Sequence, residues 1–308
     1  MQLTPANLQA LQVNFDARFQ KGFDNYAVIW PKIAEKIEQL EGDSTLYGFM
    51  DRIPRAREWV GDRVYHNVVA RDVVLRPKDY ELSIEVDRNA MLDDKLGVFM
   101  PRIEMMGMEM AKYPDVNLQA AMQNGKTAET YDGQDFFSDS HPANIDKPTQ
   151  YAAQSNLFTT KPLTSDNYAD VRAKMQSLLG ADGLPLGVKP NTLVVPPQLE
   201  YKARTIISAD LNAVAVGAAA ATQTNVLKNT AEVVVFDELA NEPTTWYLLD
   251  TRLPVKPFIF VERAPVTLTQ LISPTDANVF DRKKFRYGAD ARGLVSYGLW
   301  FLAARCEG

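Results

Sequence analysis

His141 lies in Asp135-Phe136-Phe137-Ser138-Asp139-Ser140-His141-Pro142, among the acids and hydroxyls that a hydrolytic or metal-assisted site would use. Catalysis by such a set depends on spatial geometry, which adjacency in sequence does not supply. The chain has no G-x-S-x-G elbow to raise a serine nucleophile. His141 therefore reads first as a loop histidine hydrogen-bonded to nearby carboxylates, with a hydrolase using His141 and Asp135 or Asp139 as the minor alternative. His66, the only other histidine, sits in a β-rich stretch and reads as a half-exposed strand residue. Cys306 is the single cysteine, so an intrachain disulfide and a Cys-rich zinc site are both excluded. Asp93-Asp94 could pair on a metal, but acids at a helix start also answer the positive end of the helix dipole, and that is the reading preferred. No G-x-x-x-x-G-K-[ST] or G-x-G-x-x-G phosphate loop occurs. No cofactor or metal is expected. Arg52, Arg55, Arg57 and Arg63 form one basic cluster, and Arg282, Lys283, Lys284 and Arg286 another. Both are interleaved with acids, so salt bridges to another subunit are as good a reading as phosphate contacts.

These residues need elements to hold them. The 308 residues are 46 % hydrophobic and 23 % charged, as in globular proteins. The net charge of −6 argues against a dedicated nucleic-acid binder. No run reaches the ~18 apolar residues of a membrane span, and Met1–Pro5 lacks a signal-peptide pattern, so a cytoplasmic chain is expected. Leu8, Leu11, Phe15 and Phe19 predict a helix over 6–22, with Thr4 as N-cap and Gly22 as its stop. Ile33, Ile37 and Leu40 suggest a second, ending at Gly42. Residues 51–86 are rich in β-formers, and Tyr80, Leu82, Ile84 and Val86 alternate with polar residues. They read as a long two-stranded excursion, which is marginal alone and needs packing from elsewhere, a neighbouring subunit being one source. Residues 88–113 carry a helical stripe, Leu92, Leu96, Phe99, Ile103, Met106 and Met110, with a kink or break at Pro101 and an end at Pro114. Its methionines read as adaptable core. A short helix over 116–123 follows. Residues 125–165 are loop-rich. Beyond them Tyr168, Val171, Met175 and Leu178 mark a helix capped by Ser165 or Asp166. Strands are predicted at 192–195, 233–236, 246–249 and 258–261, a helix at 199–209, and a flexible surface loop at 213–224. The tail, 276–308, is strand-like. Together these give an α+β protein with a protruding β excursion that points to self-assembly.

Three stretches in this order resemble one family: Glu58-Trp59-Val60-Gly61-Asp62-Arg63, Leu92-Asp93-Asp94-Lys95-Leu96-Gly97, and Tyr131-Asp132-Gly133-Gln134-Asp135-Phe136-Phe137 followed by Ser140-His141-Pro142. The resemblance, sharpest over 55–145, is to the major head (capsid) proteins of Mu-like tailed phages. It implies the Hong Kong 97-type capsid fold. Residues 1–50 would be the N-terminal arm and 51–86 the extended β-hairpin loop. Residues 87–165 would be the peripheral domain with its long spine helix. Residues 166–264 would be the axial domain, and 265–308 the C-terminal strands of the peripheral domain. The chain would then self-assemble as pentamers and hexamers into an icosahedral head enclosing double-stranded DNA. Expected partners are a separate scaffold protein, a portal, a decoration protein and packaged DNA in weak non-specific contact, with no membrane. Extended-loop residues expected at intersubunit contacts are Arg55, Arg57, Trp59, Arg63, Tyr65, Arg71, Arg76 and Lys78. An encapsulin-like cargo shell of the same fold is the alternative.

Overall fold

The longest helix of the protein continues through a proline, and two glycines let a second helix lie against it. In this computed structural model, residues 5–39, 42–50, 70–93, 97–216 and 219–308 are described. The first helix, α1 (Pro5–Asn25), buries Leu11, Phe15 and Phe19. It does not stop at Gly22. A Cβ at Gly22 would fall 1.9 Å from the Glu104 carbonyl oxygen, and one at Gly107 would fall 2.1 Å from that of Phe19. The two glycines mark where the backbones cross, so Gly22 serves contact and not termination. Thr4, expected as the cap, lies outside the described residues.

After the short α2 (Trp30–Ile33) the chain enters strand β1 (Ala34–Glu38). The second helix expected through Ile37 is thus a strand. Parallel pairing with a later strand supplies the backbone bonds that a helix would have made internally. Leu40 lies outside the described residues. Strands β2 (Thr45–Met50) and β3 (Ala70–Leu75) pair antiparallel from Thr45↔Leu75 to Met50↔Ala70. The excursion expected over 51–86 therefore has its paired base at 45–50 and 70–75. β4 (Lys78–Asp87) belongs instead to the main sheet, and its predicted alternation is met there: Tyr80, Leu82, Ile84 and Val86 face inward.

Asp87 caps α3 (Arg88–Leu92), accepting from the Asn89 and Ala90 N–H groups at 2.9 and 3.0 Å. Asp93 closes α3 at its C-terminal end. The N-terminal role expected for it belongs to Asp87, while Asp94 lies outside the described residues. Next comes α4 (Phe99–Asn124). Pro101 falls in its first turn, where a missing N–H costs nothing. Pro114 is interior, yet the helix runs on, joining the separate helix expected at 116–123. Tertiary contacts outweigh the lost bond: Leu118 and Met122 are fully buried, and the Asp115 carboxylate accepts from the N–H groups of Ile29 (3.0 Å) and Trp30 (2.7 Å).

Further on are β5 (Leu157–Phe158), α5 (Ser165–Gln176), β6 (Thr192–Val195), α6 (Glu200–Ser208), β7 (Leu211–Val216), β8 (Ala219–Thr224), β9 (Glu232–Val235), β10 (Trp246–Leu249), β11 (Phe258–Leu271), α7 (Ala277–Arg282), β12 (Lys284–Tyr297) and β13 (Ala303–Cys306). Thr164 caps α5, through Asn167 N–H at 3.2 Å, in place of Ser165 or Asp166. Of the flexible loop expected at 213–224, residues 213–216 and 219–224 instead pair antiparallel within β7 and β8, and 217–218 lie outside the described residues.

Two sheets organise the body, in the orders β1-β11-β12-β4 and β5-β13-β10-β6-β9. The first lays Phe285, Tyr287 and Ala289 against Phe15, Phe19, Ile103, Met106 and Met110 of α1 and α4. The second is apolar on both faces, which is why Thr192–Val195 and Trp246–Leu249 read as continuous apolar runs. Tyr247 and Val194 pack toward Met122 and Phe137, while Trp246, Leu193 and Val195 pack toward Tyr168 and Ile207 of α5 and α6. β13 from the tail joins this second sheet, and Cys306 is buried there, where burial pushes its thiol well up.

Candidate functional site

The loop that carries the would-be chemistry folds onto its own histidine. Gly133, at φ 78°, turns the chain so that Thr130 N–H donates to Gln134 O and Gly133 N–H to Thr130 O. This aims the Asp132 carboxylate inward. Its Oδ2 meets His141 Nδ1 at 2.6 Å, with both side chains fully buried. The other ring nitrogen, Nε2, faces Asn156 Oδ1 at 3.2 Å. Asn156 also accepts from Ser138 N–H and donates through Nδ2 to the carbonyls of Phe136 (2.7 Å) and Trp300 (3.1 Å). The imidazole lies flat on Trp300, with centroids 3.9 Å apart and planes within 2°.

Every face of His141 is therefore taken by its own chain. Ser138 and Ser140 bond to each other, and Ser140 to Gln134. The acid partner is Asp132, not Asp135 or Asp139. What this set does chemically is fasten a long loop to the C-terminal segment. Asn156 and Trp300 were not foreseen, because nothing local in the sequence ties them to the loop. Among the described residues no cluster of three or more His, Cys, Asp or Glu could hold a metal.

The candidate contact residues fare differently. Arg55, Arg57, Trp59, Arg63 and Tyr65 lie outside the described residues. The backbone of Arg71 pairs with Phe49 in the β2–β3 hairpin. Arg76 and Lys78 are exposed on either side of Pro77, where β3 passes into β4. The hairpin base is anchored by Leu75, Tyr47 and Val73 against Ile259 and Val261 of β11. In the second basic cluster, Arg286 pairs with Glu85 at 2.8 Å, and Lys283 ends α7 in a left-handed conformation at φ 55°. The contacts seen so far hold secondary elements together and leave charged residues facing outward.

A model of the family described as Mu-like prophage major head subunit gpT matches residues 8–161, 154–239 and 237–308. The chain belongs to this family. Among curated relatives of this head subunit, the major capsid protein of Escherichia phage Mu is 26 % identical over 308 residues, covering 100 % of this chain and 76 % of that protein. The Mu-like prophage FluMu major head subunit of Haemophilus influenzae is 24 % identical, covering 99 % of this chain and 75 % of its own length. Among solved structures, the procapsid of bacteriophage JBD30 matches with a TM-score of 0.63 and 26 % identity, over 99 % of this chain and 76 % of that one. The capsid of cyanophage P-SCSP1u, at 10 % identity, covers 92 % and 88 % with a TM-score of 0.60, and shows the shared fold alone. The mixed α+β fold of this head subunit is thus that of phage capsid proteins, and its role is that of a major capsid protein. These relatives are phage head proteins, which does not favour a cargo shell. No helix among the described residues is long and apolar enough to cross a membrane.

Proposed function

We propose that copies of this chain assemble as pentamers and hexamers into a closed icosahedral head around double-stranded DNA, and that the β2–β3 excursion joins neighbouring copies. The observation that carries this reading is the hairpin base. It is fastened to β11 by Tyr47, Val73 and Leu75, so the segment beyond it is held at a fixed root. A two-stranded hairpin is marginal by itself and gains stability by lying on another copy. The basic residues Arg55, Arg57 and Arg63, with Trp59 and Tyr65, are the contacts proposed on that segment, and Arg71, Arg76 and Lys78 those at its foot. In this reading α4 is the spine of a peripheral domain containing the first sheet. The second sheet, with α5, α6 and the β7–β8 hairpin, is the axial domain at ring centres. The fold is then of the Hong Kong 97 type. A separate scaffold protein, a portal and a decoration protein are proposed partners. The net charge of −6 supports weak, non-specific contact with packaged DNA, because tight phosphate binding would hinder packing and exit. Assembly takes place in the host cytoplasm.

The test is to replace 51–69 by a two-residue turn, leaving both paired strands intact. The expected product is soluble and folded by circular dichroism but builds no closed shells under the electron microscope. Normal shells from this variant would overturn the assignment.

A further inference from the structure

One edge of the first sheet is open, and its chemistry specifies what can close it. β4 is an edge strand of ten residues, paired on one side with β12 from Asp87↔Lys284 to Lys78↔Gly293. Arg88 N–H donates to Lys283 O at 2.9 Å just beyond the ladder. Antiparallel bonding alternates residue by residue, so this bond sets the phase. Even-numbered residues of β4 bond to β12. The N–H and C=O groups of Asp79, Glu81, Ser83 and Glu85 project from the other side. Among the described residues, no backbone group pairs with them.

The side chains of these four residues are exposed and share the outer face, away from α1 and α4. Three of the four are acidic. Across the strand, Arg292 pairs with Asp79 at 3.4 Å and Arg286 with Glu85 at 2.8 Å. The middle of the row differs. Glu81 lies opposite Asp290 and Ser83 opposite Gly288. Like charges directly opposite are unfavourable, and no cation of β12 stands there. The missing side chain at Gly288 opens a cavity of about 340 Å³, lined by residues that include Ser83, Glu85, Thr269, Leu271 and Arg286. That is room for a long side chain laid across Ser83.

We infer that the free edge of β4 is a docking site for an extended polypeptide segment of another chain carrying Lys or Arg at alternate positions. The guest backbone continues the ladder, and its cations meet Glu81 and Glu85 on the outer face. The same acids prevent two β4 edges from pairing with each other, since acid would meet acid. An acidic row repels an acidic strand and attracts a basic one. A docking edge discriminates by charge. The inference rests on the edge geometry and is independent of how heads are built.

The probe is a nonapeptide alternating Lys with Thr, compared with one alternating Glu with Thr. Each is added to the soluble full-length chain, and amide hydrogen exchange is followed over 78–87. The Lys peptide is expected to slow exchange there and to bind about tenfold or more tightly than the Glu peptide, with the difference shrinking in high salt. Ser83→Pro removes a donor from the open edge without touching the β12 ladder, and should abolish protection. Should that variant misfold, Glu81→Lys with Glu85→Lys decides the matter, with an expected loss of about tenfold. No protection at millimolar peptide, equal binding of both peptides, or unchanged binding by the charge-reversed variant would overturn the inference.

Discussion

Gly107 shows how one missing methyl group decides where two elements meet. Alanine in its place gains about 1 kcal/mol of helix propensity. It also sets a carbon 2.1 Å from Phe19 O and 2.9 Å from Phe23 N, both backbone atoms that cannot rotate away. Contacts that short with backbone atoms fall at the upper end of the overpacking range, about 3 kcal/mol, so the clash wins. Gly107→Ala is expected to lower the urea midpoint by a net of about 2 kcal/mol of stability. A variant as stable as the parent would mean that the helices do not cross there. His141 offers a second case. His141→Ala leaves the buried Asp132 side chain without its hydrogen-bond partner, a loss of about 1–3 kcal/mol. Asp139→Asn, on an exposed neighbour, should stay within about 0.5 kcal/mol. Equal effects of the two substitutions in urea titrations would contradict the fastening role assigned to His141.

At the scale of elements, the core holds tyrosines whose burial has a readable consequence. Burial pushes the Tyr297 phenol from 10.0 up to about 12, and it raises those of Tyr113, Tyr247 and Tyr287 as well. Each phenol stays protonated in the folded chain after its unfolded counterpart has ionised. The unfolded state then binds fewer protons, so stability falls as pH rises. The contribution is complete below about pH 10 and is lost progressively from there to about 12 and beyond. Thermal midpoints should therefore fall steeply above pH 10, with phenolate absorbance rising in step with unfolding. Smooth titration of all tyrosines near 10 in the folded protein would refute this packing. Elements whose signal is local were legible in sequence: the stripe Leu11, Phe15 and Phe19 of α1, the alternation of β4, the apolar run of β6. Those settled by distant partners were not. Ile33 and Ile37 suit a helix by spacing, but β11 takes 34–38 as a strand. Pro114 signals a stop, but Asp115 and Leu118 are held from elsewhere. The small residues of 213–224 look like a loop until β7 and β8 pair. Asp132 and His141 were in view as a polar loop, whereas Asn156 and Trp300 reach it only through the fold.

For the molecule as a whole, the two sheets and α4 form a body fixed by buried contacts, while the hairpin root and the β4 edge direct pairing capacity outward. Family membership makes this chain a major capsid protein, and the proposed geometry assigns the hairpin to contacts between copies and the β4 edge to a basic extended segment. The most direct measurement is electron microscopy of the purified full-length chain, expressed alone and with a candidate scaffold protein. Closed shells, or rings and curved sheets of fivefold and sixfold units, are expected. A strictly monodisperse monomer under every assembly condition would contradict the proposed assembly.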